Sequence, residues 1–262
     1  MPMPPLYLTT PFVSSHVLPP FYLAILRLTL GKYALTTALA VLIKDGIDAG
    51  SAREFGYFSY FTDLSYIGLL SYLLAAGTQT LLYARGAPTS KPTRAYRMLQ
   101  YAHGVLFSTI TTFPIVVTVV YWARLSSSST FATTFSSYAN ISQHALNTAF
   151  AVFEILFAAT DPLPWLHLPI CMVILALYLA LTYVTHASQG FYTYYFLDPS
   201  TEHKKLAGYI VGIALGQCVL FAIVRYVMIL RNFLFSRYLP RIRAGGTEAL
   251  EEWEEVERSE VV

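Results

Sequence analysis

Two stretches place polar side chains where an otherwise apolar chain begins a hydrophobic run: Phe58-Ser59-Tyr60-Phe61-Thr62-Asp63-Leu64-Ser65 and Ile141-Ser142-Gln143-His144-Ala145-Leu146-Asn147-Thr148. A threonine hydroxyl becomes a usable nucleophile when a neighbouring imidazole removes its proton, and histidine can do this near neutral pH. Thr62 and His144 are therefore read as a nucleophile and base pair. A third group that would orient the imidazole is sought among Asn147, Asp198 and Asp63, and spacing leaves the three open. The competing reading is structural: membrane threonines commonly bond to their own helix, and an intramembrane histidine often bridges two helices.

His144, Asn147, Ala151 and Glu154 follow the spacing of one helical face, with Thr148 beside them, so this stripe is expected to point inward. Glu154 lies about 15 Å of helical rise below His144. That depth puts a carboxyl group in hydrocarbon, where ionisable side chains are costly and mark a pathway or a pair. Lys32 is the expected partner. The Lys32 and Glu154 pair would pin two helices, whereas Glu154 or Asp63 kept protonated by desolvation would suit a proton donor. His186 and the loop from Gly190 to Asp198, including Tyr194, are expected to close the site on the side where Thr62 and His144 enter. His103 and His167 fall at the opposite ends of their helices.

The elements that must position these residues are membrane helices. Hydrophobic residues make up 55% of the 262 positions and charged residues only 12%, about half the charged share of a soluble domain. Apolar runs at roughly 20 to 43, 56 to 84, 101 to 123, 140 to 159, 165 to 186 and 206 to 230 each have the length that crosses a bilayer. The expected fold is an all-α polytopic bundle of about six transmembrane helices. A Pro-rich segment, 1-19, precedes the membrane domain, 20-231, and a basic then acidic tail, 232-262, follows it. Arg27 and Lys32 interrupt the first run. An even number of crossings groups both termini with Arg85, Lys91, Arg94, Arg97, Arg231, Arg237, Arg241 and Arg243, against Lys44, Arg53, Arg124, Lys204 and Lys205. The positive-inside bias then places both termini in the cytosol.

Several classes are excluded. The net charge of +2 is small and dispersed, so nucleic acid is not an expected partner. Cys171 and Cys218 lie inside apolar runs and read as buried hydrophobes. No zinc-type spacing, phosphate-binding glycine loop or serine elbow occurs, so neither metal nor cofactor is expected. No cleavable secretory signal is read at the start. Paired broken helices and internal duplication, the marks of a transporter, are not seen. Asn140-Ile141-Ser142 matches a glycosylation acceptor at the head of a helix.

Leu106-Phe107-Ser108-Thr109, followed by Phe113-Pro114 and Tyr121-Trp122, resembles the FST, FP and aromatic-Trp pattern of the androgen-induced gene 1 and FAR-17a family of integral membrane proteins. Phe61-Thr62 resembles its threonine site, and His144 falls where its histidine stands. The spacing of His144 and Glu154 is closer to the related rolling stone branch. Asn147 replaces a second histidine, and Tyr195 stands where a proline is found. The resemblance implies a threonine hydrolase of fatty acid esters of hydroxy fatty acids, with Thr62 as nucleophile and His144 as base, working in the endoplasmic reticulum or plasma membrane on a fatty acyl ester drawn from the bilayer. The rolling stone branch implies instead a non-catalytic membrane protein, and an intramembrane isomerase or cyclase is the third expectation.

Overall fold

The computed structural model describes residues 6–49, 56–88, 93–200 and 203–260; Arg53 and Lys91, used in the charge count above, lie outside the described residues. The elements are α1 (Thr10–Val13), α2 (Pro20–Ala49), α3 (Phe61–Ala84), α4 (Arg94–Ile110), α5 (Phe113–Val120), α6 (Thr134–Ile141), α7 (Asn147–Phe157), α8 (His167–Gln189) and α9 (His203–Glu260). Single π-helical turns, Tyr121–Leu125 and Ser142–Leu146, extend α5 and join α6 to α7. Among the described residues no strand forms; Ser15 and Ala158 make an isolated antiparallel β-bridge.

Among the described residues five helical stretches are long and apolar enough to cross a membrane: Pro20–Ile47, Phe61–Ala84, Arg94–Leu125, His167–Gln189 and Lys205–Tyr238. The expected run at 140 to 159 is helical but does not join this set. Ser142, Gln143, His144, Asn147 and Glu154 make it too polar, and all five are buried. The segment is enclosed instead by α2, α3, α5 and α9. The peripheral helices α8 and α9 turn Val173, Leu177, Val184, Val211, Leu215, Val219 and Ile223 outward. An apolar surface of that extent is what lipid contact requires.

Small residues set the closest packing. A Cβ built on Gly31 would come 2.9 Å from the Leu74 side chain, and one on Gly77 would come 2.9 Å from Leu28 and 3.1 Å from Arg27 Cβ. With Ala24, Ala34, Ala38 and Ala76 buried along the same seam, α2 and α3 approach as membrane helices do when backbone packing replaces the hydrophobic drive.

The third span is broken between α4 and α5. Pro114 cannot donate a backbone hydrogen bond, and Thr111 and Thr112 turn their hydroxyls back to the carbonyls of Phe107 and Ser108, each at 2.8 Å. The break is tied into the bundle. Gln217 Nε2 on α9 donates to the Thr112 hydroxyl at 3.0 Å, and the Thr148 hydroxyl on α7 donates to the Pro114 carbonyl at 3.1 Å.

The N-terminal segment, read from sequence only as Pro-rich, is folded into the bundle. Leu6, Leu8 and Val13 are buried, the Tyr7 N–H donates to Gln79 Oε1 at 2.9 Å, and the Ala159 N–H donates to the Ser14 carbonyl at 2.9 Å. At the other end, α9 continues as helix through the basic and acidic stretch to Glu260.

Candidate functional site

Thr62 is the second residue of α3. The helix begins five residues later than the apolar run, so Thr62 sits at the end of its helix and not about 9 Å inside, as a helix starting at 56 would place it. It is still buried, because the turn at 56–60 and the loop after α8 cover that end. Its hydroxyl contacts the Tyr194 hydroxyl at 3.5 Å, a long contact that leaves the threonine hydroxyl weakly satisfied. Tyr194, enclosed by protein at the cavity wall, has its hydroxyl pushed well above its ordinary pKa by burial, so it stays a neutral donor.

Thr62 and Tyr194 open on a cavity of about 300 Å³ otherwise walled by apolar groups of α5, α8, α9 and the loop, among them Val117, Met172, Leu175, Phe196 and Ile213. Tyr121 and Tyr178 also line it. The Tyr178 hydroxyl is used elsewhere, donating to the Ser59 carbonyl and meeting the Thr193 hydroxyl, both at 3.2 Å. A pocket of this kind, apolar with a few convergent polar groups, fits the chain of a lipid and one polar head.

His144 lies in the π turn between α6 and α7, buried, and its ring stacks flat on Tyr121 with centroids 3.4 Å apart and an interplanar angle of 3°. Tyr121 opens the other π turn, and Trp122 Nε1 beside it donates to the His144 carbonyl at 2.7 Å. Two wide turns thus face one another, a feature that recurs at functional sites. The His144 Nδ1 atom is buried without a hydrogen-bond partner, which costs about 1–3 kcal/mol in a site with no use for it.

The expected residues are brought together only in part. No hydrogen bond joins Thr62 to His144; the link between the two stretches runs one residue along each, from Gln143 Nε2 to Asp63 Oδ1 at 2.8 Å. None of the three orienting groups reaches the imidazole. Asn147 is taken up by α5, accepting from the Thr118 hydroxyl at 3.0 Å and donating to the Pro114 carbonyl at 3.3 Å. Asp63 holds Gln143. Asp198 accepts from the Ser200 N–H at 2.8 Å in the loop, and His186, in the last turn of α8, stacks on Tyr192 at 3.9 Å, so neither lines the Thr62 cavity. The sequence reading missed Tyr121, Gln143 and the wall residues Phe61 and Tyr178 as parts of one constellation; the Tyr121-Trp122 pair was the available signal.

Glu154 requires a correction. Its partner is Arg27, not Lys32: Arg27 Nε and Nη2 donate to the two carboxylate oxygens at 2.8 and 2.6 Å, both side chains are fully buried, and Lys32 is exposed. Arg27 Nη1 also donates to the Phe12 carbonyl at 2.7 Å and the Thr80 hydroxyl at 2.8 Å, and Tyr72 donates to Glu154 at 3.3 Å. A carboxylate held this way pins α2 to α7. His103 stacks on Tyr72 at 4.7 Å beneath Phe12, and His167 Nδ1 bonds Ser108 at 2.8 Å, both apart from Thr62. The acceptor Asn140 is turned inward, its amide donating to the Thr130 and Ser136 carbonyls and its Oδ1 accepting from Tyr121, which is no posture for a glycan.

No family model, no curated protein and no solved structure matches this chain. What is established is a class: among the described residues, an all-helical protein with five helices long and apolar enough to span a membrane.

Proposed function

We propose that the protein is a membrane-embedded lipid ester hydrolase that takes the acyl chain of its substrate into the cavity beside Thr62. The observation that carries this reading is a buried threonine hydroxyl, held by a single 3.5 Å contact, at the wall of an otherwise apolar cavity of about 300 Å³. Thr62 Oγ attacks the ester carbonyl carbon, the Tyr194 hydroxyl donates to the oxyanion, and the alcohol leaves with the proton. Water then releases the acid from the acyl-threonine. His144, with an unpartnered ring nitrogen, is the base, and the proton must pass to it through water because the two side chains are not bonded. The resemblance to the androgen-induced gene 1 family, carried by Phe61-Thr62, Leu106-Phe107-Ser108-Thr109 and His144, points to the same two residues. In this reading the segment 134–157 is a sixth crossing and both termini face the cytosol. The membrane is that of the endoplasmic reticulum or the cell surface.

One observation favours a non-catalytic role of the rolling stone kind: Asn147, Glu154 and Gln143 are all used to tie helices together. An isomerase using Glu154 loses support, since Arg27 occupies its carboxylate. Purified full-length protein assayed on branched fatty acid esters separates the readings. Hydrolysis should fall about 100-fold or more in Thr62→Ala and His144→Ala, with unchanged melting temperature, and survive in Thr62→Ser. Equal cleavage by wild type and both alanine variants, or none by any, sinks the hydrolase reading.

A further inference from the structure

A second hollow of about 530 Å³ lies between α3, α4 and α8, lined by Leu64, Gly68, Leu106 and Thr109 among others and open to the outer face at Leu177. It shares two residues with the Thr62 cavity, Phe61 and Tyr178. These two rings stand 4.9 Å apart at 53°, and Phe61 leans on Phe113 at 5.2 Å. Both aromatic rings therefore border both spaces.

The two rings are not equally fixed. Tyr178 is moored by its hydroxyl to the Ser59 carbonyl and the Thr193 hydroxyl. Phe61 has no polar atom to moor it, is only half-buried, and stands at the first residue of α3. Rotating one ring about its own side-chain bonds costs far less than shifting a helix.

We propose that Phe61 is a specificity-determining gate that sets how long an acyl chain can lie with its carbonyl at Thr62. With the ring closed, the chain has only the first cavity. With it turned aside, the chain end runs on into the second, whose apolar walls match hydrocarbon. The inference rests on the reading of Thr62 as the residue that meets the carbonyl, but it concerns binding and not turnover. Selection here is by room and packing: a chain drawn from lipid gains little by merely leaving another apolar medium. The chain-length dependence should therefore show a break where the available space ends.

The test uses full-length protein in detergent and a series of straight-chain methyl ketones, from octyl to octadecyl, which keep the carbonyl and carry no leaving group. Affinity is followed by the shift in melting temperature. In wild type, affinity should rise with chain length and then level off. Each methylene that finds room adds at most about fourfold, the value for transfer from water, and less against a micelle. Phe61→Ala should move the break to longer chains, Phe61→Leu should move it partway, and Phe61→Trp should move it to shorter ones. Tyr178→Phe, which loses the mooring but keeps the ring, should also lengthen the accepted chain. The same break in wild type, Phe61→Leu and Phe61→Ala overturns the gate. Because ketones are not hydrolysed, an inactive protein with a shifted break sinks only the hydrolase reading. An active protein whose break does not move sinks only the gate.

Discussion

Replacing Arg27 with methionine should leave Glu154 fully buried with a single donor, Tyr72 at 3.3 Å, in place of three. Removing one partner of a buried pair costs about 3–5 kcal/mol, because the surviving charge has neither water nor counter-ion. Two further acceptors lose their donor as well, the Phe12 carbonyl and the Thr80 hydroxyl, so the upper part of that range is expected. Glu154→Gln should cost a similar amount for the complementary reason: an amide N–H would face the guanidinium. The double variant Arg27→Met with Glu154→Met removes both charges and should recover most of the loss, since buried pairs are often replaced by packed apolar groups at little cost. Lys32→Met should stay within about 0.5 kcal/mol of wild type, as an exposed side chain outside this cluster. Melting followed by the fluorescence of Trp122 and Trp165 reads the effect, with a loss on the order of 10 °C for each single variant. If the double variant is no more stable than the singles, the pair is not the coupled unit described. If Lys32→Met is the variant that melts early, the correction in favour of Arg27 is wrong.

Gln143→Ala should destabilise by about 1–3 kcal/mol, because it strips the Asp63 carboxylate of its 2.8 Å donor at a buried site; Asp63→Asn, which keeps an acceptor, should cost less in the same melting assay. Asp198 is held below the usual carboxylate range chiefly by its hydrogen bonds to Ser200, with His186 adding a smaller electrostatic pull. A depressed carboxyl favours the folded loop at pH values above its unfolded pKa of about 4 and loses that contribution as pH falls through the lower folded value. Exchange of the Ser200 amide, the donor to Asp198, should therefore differ between wild type and Asp198→Asn at neutral pH and converge in acid; a difference that persists or grows in acid would refute the assignment.

How far the site was legible can be followed along α7. The inward stripe of His144, Asn147, Ala151 and Glu154 was readable because helical spacing alone puts those positions on one face, and all four are buried. The partner of Glu154 was not. Arg27 and Lys32 are five residues apart, which is about 140° around a helix, and only the side of α2 that α3 approaches decides which one turns inward. Gly31 and Gly77 set that approach, and Gly77 lies against Arg27.

Composition and periodicity by themselves determined that the chain is helical, that several helices are built for lipid, and that its polar residues would be buried among them. Tertiary structure decided which of those polar groups meet. The inward side of His144 follows from helical spacing, but its neighbour does not: the ring lies in the π turn Ser142–Leu146 and stacks on Tyr121, the first residue of the π turn Tyr121–Leu125. The result is that Asp63 meets Gln143, His144 meets the face of Tyr121, and Thr62 turns to Tyr194 and the cavity. Thr62 and Asp63 are neighbours in sequence, yet one lines the space proposed for the substrate and the other ties two helices together.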